Sequence, residues 1–135
     1  MSWKKPIIWG VGVGIFQAFS PLAFFWLQPV VVWSLGLAII AAVYIGLAVS
    51  DGRPAVVATE VGVTTAFVIV AALAIKSAPW LAVIGIAAHG VKDAWQHHTQ
   101  FVANTRWWPP FCLVVDVVAS GIIAVLLLTG SMTAK

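Results

Sequence analysis

Five apolar runs, each close to the length of a membrane-spanning helix, constrain this chain more than any other feature. They cover residues 7–27, 30–49, 55–75, 78–98 and 110–129, and short polar breaks separate them. A helix needs roughly 20 apolar residues, within about 17–25, to cross the hydrocarbon core of a bilayer. Hydrophobic residues make up 62% of the chain and charged residues 8%, whereas ordinary soluble domains carry about 25% charge. Such a chain has too little polar surface to be wetted. The expected fold is all-α: a polytopic transmembrane helix bundle, one integral membrane domain over residues 1–135, with five spans, or four if one run does not cross.

The breaks follow known turn chemistry. Pro21 lies inside the first run and predicts a kink or short break near Ser20. Lys4 and Lys5 before an apolar run resemble a signal peptide, but Ala18-Phe19-Ser20 followed by Pro21 makes a poor cleavage site, so a retained first span is expected. Gln28-Pro29 and Ser50 to Pro54 read as turns. Lys76-Ser77 is a brief polar break, and Thr99 to Trp108 is the longest connection. Pro109-Pro110 suits the first turn of the last helix. With five spans, the N-terminal side collects Lys4, Lys5, Arg53 and Arg106, and the other side Lys76 and Lys135. The positive-inside rule then places the N-terminus in the cytoplasm and the C-terminus outside, in the plasma (inner) membrane. All eight tryptophans fall near interfaces in this arrangement, where aromatic belts form.

Several function classes are disfavoured. The net charge of +3 comes from scattered basic residues, without the basic face that nucleic acid binding requires. No internal repeat suggests an inverted-repeat transporter. Gly10-x-x-x-Gly14 matches a small-residue packing motif, best read as close packing within the bundle. GVGVG lacks the spacing and preceding strand of a dinucleotide fingerprint. The lone cysteine excludes an internal disulfide. The lipid bilayer is the expected partner, with a homo-oligomer left open.

The reactive groups gather between His89 and Asp116, a stretch holding all three histidines, the cysteine and two of the four acids. Glu60, Asp93 and Asp116 fall inside predicted spans, where ionisable groups are costly and mark function by default. At about 1.5 Å per residue, each lies about 8–9 Å from the cytoplasmic end of its helix. Helical phase agrees with depth. His89, Asp93, Gln96, His97 and Gln100 form one stripe; Cys112, Asp116 and Ser120 form another; Glu60 and Thr64 a third. These stripes should converge in the interior, because lipid cannot satisfy them, with Tyr44 able to add its hydroxyl and His98 pointing away. Glu60, His89, Asp93 and Asp116 are the candidate catalytic residues. His89, Asp93, His97 and Asp116 are the candidate ligands for zinc or another divalent metal, since imidazole and carboxylate suit such ions. His89 and His97 lie too far apart along the axis for one ion to hold both comfortably. No established metal motif is present, and a hydrogen-bonded network that fixes helix register is the structural alternative.

Other polar residues carry weaker signals. Cys112 as a nucleophile would need a base and a lowered pKa; a small packing side chain is the plainer reading. Ser120 has no nucleophile-elbow context. Lys92 reads as a headgroup anchor. Arg106 and His98 could hold an anionic lipid headgroup.

The segments YIGLAVSDGR (Tyr44 to Arg53), then Glu60, SAPWL (Ser77 to Leu81), HGVKDAWQHH (His89 to His98) and RWWPPFCLVVDVVA (Arg106 to Ala119) together resemble a family of small bacterial integral-membrane proteins, a domain-of-unknown-function family. The likeness covers roughly two thirds of the chain, and HG-x-x-D-x-x-x-HH and W-x-PPFC-x-x-x-D are its more specific motifs. The family commonly carries an aromatic where Lys92 stands and tyrosine where Trp108 stands. The resemblance implies no activity; it implies that the polar cluster is the family's site. Two function classes follow. One is a membrane enzyme, such as a metal-dependent hydrolase or an acid–base enzyme, acting on a lipid or isoprenoid at the cytoplasmic leaflet. The other is a non-enzymatic membrane subunit or a permeation element that binds protons or cations.

Overall fold

The computed structural model describes residues 2–132 and is an all-α bundle of five helices. They are α1 (Lys4–Phe19), α2 (Pro29–Asp51), α3 (Pro54–Lys76), α4 (Trp80–Thr99) and α5 (Trp108–Leu128). Pro29 and Pro54 stand in the first turns of α2 and α3, where a missing N–H costs nothing. Gly52, at φ 86°, closes α2 in the left-handed conformation that glycine adopts without strain. α2, α3 and α5 are long and apolar enough to cross a membrane. The outward faces are correspondingly greasy, with Ile8, Phe16, Ile39, Val91 and Leu128 all exposed.

The first apolar run is not one helix over residues 7–27. α1 ends at Phe19, and Ser20–Leu22 forms a 3-10 turn. Pro21 has no N–H for the carbonyl of Gln17, so Ser20 serves it instead, with its backbone N–H and with its hydroxyl at 2.7 Å. The indole N–H of Trp33 donates to the carbonyl of Ala18 at 2.9 Å and stitches the broken end to α2.

α1 packs chiefly on α5. α5 packs on α4, and α4 in turn meets α3 and α2. The contact of α1 with α5 explains the Gly10-x-x-x-Gly14 pattern. A Cβ on Gly10 would lie 2.7 Å from Val114 Cβ, and one on Gly14 2.8 Å from Val118 Cβ. Between α1 and α2 an apolar groove of about 480 Å³ remains, lined by Phe16, Leu35, Ile39 and Ile40, with Gln17 and Gly36 among its walls.

The interior has two apolar levels. Trp33, Leu37, Ala71, Ile86, Ala119 and Ile123 fill the end nearer the broken α1. Tyr44, Ala48, Val56 and Val102 close the opposite end, under the connection between α4 and α5. Glu60, His89, Asp93 and Asp116 lie between them.

That connection is held down by the turn between α2 and α3. Arg53 forks onto Asp51 with Nε and Nη2, each at 2.7 Å, and Nη2 also reaches the carbonyl of Phe101 at 2.8 Å. Asp51 accepts the backbone N–H of Ala103 at 2.8 Å. The hydrogen bonds from Arg53 to Asp51 hold its guanidinium above its ordinary pKa.

Candidate functional site

α4 is the central helix of the site because it faces α5 on one flank and α2 and α3 on the other. Its close approach to α5 depends on Gly90, where a Cβ would sit 3.2 Å from Asp116 Cβ. Across that contact, His89 Nδ1 lies 2.8 Å from Asp116 Oδ2 and 3.4 Å from Asp93 Oδ2. Asp93 also accepts the Tyr44 hydroxyl at 2.6 Å. The imidazole is walled by Phe67 and Tyr44, with ring centroids 5.0 and 5.8 Å away. Ser120, one turn beyond Asp116, turns its hydroxyl back to the Asp116 carbonyl at 2.6 Å.

Cys112 completes the group. One ligating atom from each of His89, Asp93, Cys112 and Asp116 lies within 4.8 Å of the others. Each helix contributes a pair spaced i, i+4, so the two pairs face each other across the contact that Gly90 allows. His89, Asp93 and Asp116 are 0% exposed and Cys112 is 1% exposed. His89 Nε2 and Asp116 Oδ1 are enclosed and have no hydrogen-bond partner among the described residues.

A second set adjoins the first through Tyr44. Lys92 Nζ lies 2.8 Å from Glu60 Oε2 and 3.4 Å from the centre of the Tyr44 ring. Gln96 donates its amide to Glu60 Oε1, and its own Oε1 accepts the backbone N–H of Val102 at 3.2 Å. The polar network therefore runs from the α4–α5 connection through Gln96, Glu60, Lys92, Tyr44 and Asp93 to His89 and Asp116.

Glu60, His89, Asp93 and Asp116 thus belong to one interior network, in two linked tiers. His97 lies outside the four-ligand group. It is two turns along α4 from His89, and its ring packs edge-on against Trp3 at 5.0 Å. His98 is exposed, and Arg106 is exposed beside Trp107 in a shallow hollow with Gln100, Ala103 and Asn104. Lys92 is not a headgroup anchor: its side chain is only 11% exposed and is paired inside the bundle. The reason is phase. Lys92 sits on the Gln96 flank of the α4 stripe, and that flank faces α3 and Glu60. Its position three residues after His89 and four before Gln96 was the available signal.

Charge and donor type together set what the network can hold. With Glu60, Asp93 and Asp116 ionised, Lys92 protonated and His89 neutral, as a metal ligand must be, two negative charges remain, and one divalent cation cancels both. Uncompensated buried charge is expensive. The donors are one nitrogen, one sulfur and carboxylate oxygens, the set that suits zinc and neighbouring divalent metals. Bond lengths of about 2.0–2.3 Å imply ligand atoms about 3.3–3.8 Å apart in a tetrahedron. The His89 contacts are near that spacing, and the widest pair would close by about 1 Å. No family model, curated protein or solved structure matches the chain.

Proposed function

We propose that this protein is a five-span membrane protein that binds a divalent cation, zinc or a similar ion, inside its bundle near the cytoplasmic face, as a non-enzymatic cation-binding or permeation element. The observation that carries this reading is the approach of His89 Nδ1 to both Asp93 and Asp116 in a wholly enclosed site. The charge balance supports it. So does enclosure, since a hydrolase must bring a scissile bond beside a metal-bound water. α1, with 16 helical residues, and α4, with its polar stripe, are the two helices whose crossing is inferred from the neighbours they pack against. Arg106 and His98, exposed at the cytoplasmic end, suit anionic headgroups.

Elemental analysis of detergent-purified protein tests the reading. One equivalent of divalent metal is expected in the wild type, and almost none in Asp93→Asn or Asp116→Asn. A folded wild type that takes up no added zinc, cobalt or manganese would rule it out.

A second reading is a metal-dependent hydrolase or acid–base enzyme acting on a lipid or isoprenoid. The groove between α1 and α2 favours it. Ile40 lines that groove and also packs on the cluster of Phe111, Cys112 and Val115 beside the site. An apolar chain in the groove would lie one side chain away from the ligands. Turnover of a phospholipid or prenyl diphosphate in mixed micelles, lost in Asp116→Asn, would establish this reading over the first.

A further inference from the structure

Cys112 is the residue whose role the network leaves open. It is buried and lies one helical turn before Asp116, on the side of α5 that faces α4. α4 and α5 run antiparallel. His89 is level with Asp116, so Asp93 is level with Cys112, one turn nearer the connection. The four residues therefore form two facing rungs, and Cys112 occupies the one corner that is not a carboxylate or an imidazole. Its ligating atom falls within the 4.8 Å spread of the group. Phe111, Val115, Ile40 and Trp108 pack around it with apolar atoms.

We propose that Cys112 is a direct ligand, as thiolate, and that it makes the centre a site for thiophilic divalent ions, with zinc as the biological member, rather than for magnesium or calcium. This inference rests on the metal-binding reading above. A thiolate prefers zinc, cobalt and related ions, whereas magnesium and calcium take six or more oxygens. When the ion binds, the Cys112 S–H bond gives up its proton to solvent and the sulfur lone pair bonds the metal; nothing is oxidised or reduced. Three anionic ligands around a divalent ion leave one negative charge over. The hydroxyl that Tyr44 donates to Asp93 lies on that side, while the Lys92 ammonium over the Tyr44 ring is already paired with Glu60. Four protein ligands also close the coordination shell, as in structural rather than catalytic zinc sites.

Cobalt(II) added to the metal-stripped, full-length protein in detergent tests this directly. The wild type should take up one equivalent and show visible bands of a tetrahedral ion together with a near-ultraviolet sulfur-to-cobalt charge-transfer band. Millimolar magnesium should displace none of it. Cys112→Ser should keep the visible bands, lose the charge-transfer band, and bind zinc more weakly by about tenfold or more. Cobalt bound by the wild type without the charge-transfer band would overturn the role of Cys112 and leave the metal site standing. No cobalt uptake by folded wild type would overturn both.

Discussion

His89 Nδ1 lies 2.8 Å from Asp116 Oδ2, across the contact between the last two helices, and a second carboxylate, Asp93, competes for the same nitrogen at 3.4 Å. One ring N–H cannot serve both oxygens well, whereas a cation between the helices can. Asp116→Asn keeps the side-chain volume and removes the charge. The variant should fold and insert with its metal content near zero. Asp116→Ala leaves the His89 nitrogen facing a void and should cost about 1–3 kcal/mol of stability as well. Metal content and thermal melts in detergent separate the two effects.

The Lys92–Glu60 pair makes a distinct prediction. Removing one partner strands the other charge in the interior, a loss of about 3–5 kcal/mol. Lys92→Met and Glu60→Gln should therefore each destabilise the bundle strongly. The double variant should recover much of the loss, because no charge is then unpaired. A double-mutant cycle by thermal denaturation measures the coupling. Additive losses would mean that Lys92 and Glu60 do not interact in the folded protein.

Three glycines in one helix test the docking of α1. A Cβ at Gly10 meets Val114 Cβ at 2.7 Å and the Phe111 carbonyl at 2.9 Å; at Gly14 it meets Val118 and the Val115 carbonyl. At Gly12 it meets nothing within 4 Å. Gly10→Ala and Gly14→Ala should each cost about 1–3 kcal/mol through overpacking. Gly12→Ala should be neutral or slightly stabilising, since alanine is the better helix former. Equal effects at all three positions would contradict the packing.

The connection between α4 and α5 is predicted to depend on a residue far from it in sequence. Asp51 accepts the Ala103 N–H and orients Arg53 towards the Phe101 carbonyl. Asp51→Asn weakens the fork and removes the charge from that acceptor. Hydrogen exchange at Ala103 should speed up markedly, while amides in the middle of α3 keep their protection. Unchanged exchange at Ala103 would show that the connection is held by other contacts.

Topology reporters test the five-span arrangement. A reporter after α5 should read as extracytoplasmic, and one inserted between Gln100 and Trp107 as cytoplasmic, as the balance of Lys and Arg predicts. A cytoplasmic C-terminus would mean that one helix does not cross.

Much of the site was legible because two independent periodicities agree. Depth along the helix put Glu60, Asp93 and Asp116 at one level, whereas Asp116 stands opposite His89, one turn from Asp93. Helical phase turned His89, Asp93 and Asp116 inwards, with Tyr44 in reach. Pro21 likewise marked the end of α1, where, of the kink or short break expected near Ser20, the chain has the break, a 3-10 turn over Ser20–Leu22. Lys92 was not legible in this way. A lysine about two turns from the helix end reads equally well as snorkelling or as buried, and only the position of Glu60 on the neighbouring helix decides between them. Cys112 was ambiguous for a different reason: a thiol packs like a small apolar side chain, and its value as a ligand depends on which residues face it. His97 shared the polar stripe of α4, but two turns of rise carried it past the group and against Trp3.

The polar stripe of α4 has a consequence for how the protein is made. α4 carries His89, Lys92, Asp93 and Gln96 on its buried face, and an aspartate or lysine at the centre of a lone helix costs about 2.5–3.5 kcal/mol on insertion. Glu60 on the preceding helix can neutralise Lys92 as soon as α4 emerges. The partners of His89 on α5 are synthesised last. Until α5 leaves the ribosome, His89 and Asp93 have no helix to face except α2 and α3. If α4 crosses the bilayer as proposed, the translocon should therefore retain it until α5 arrives, and release the two together as a hairpin.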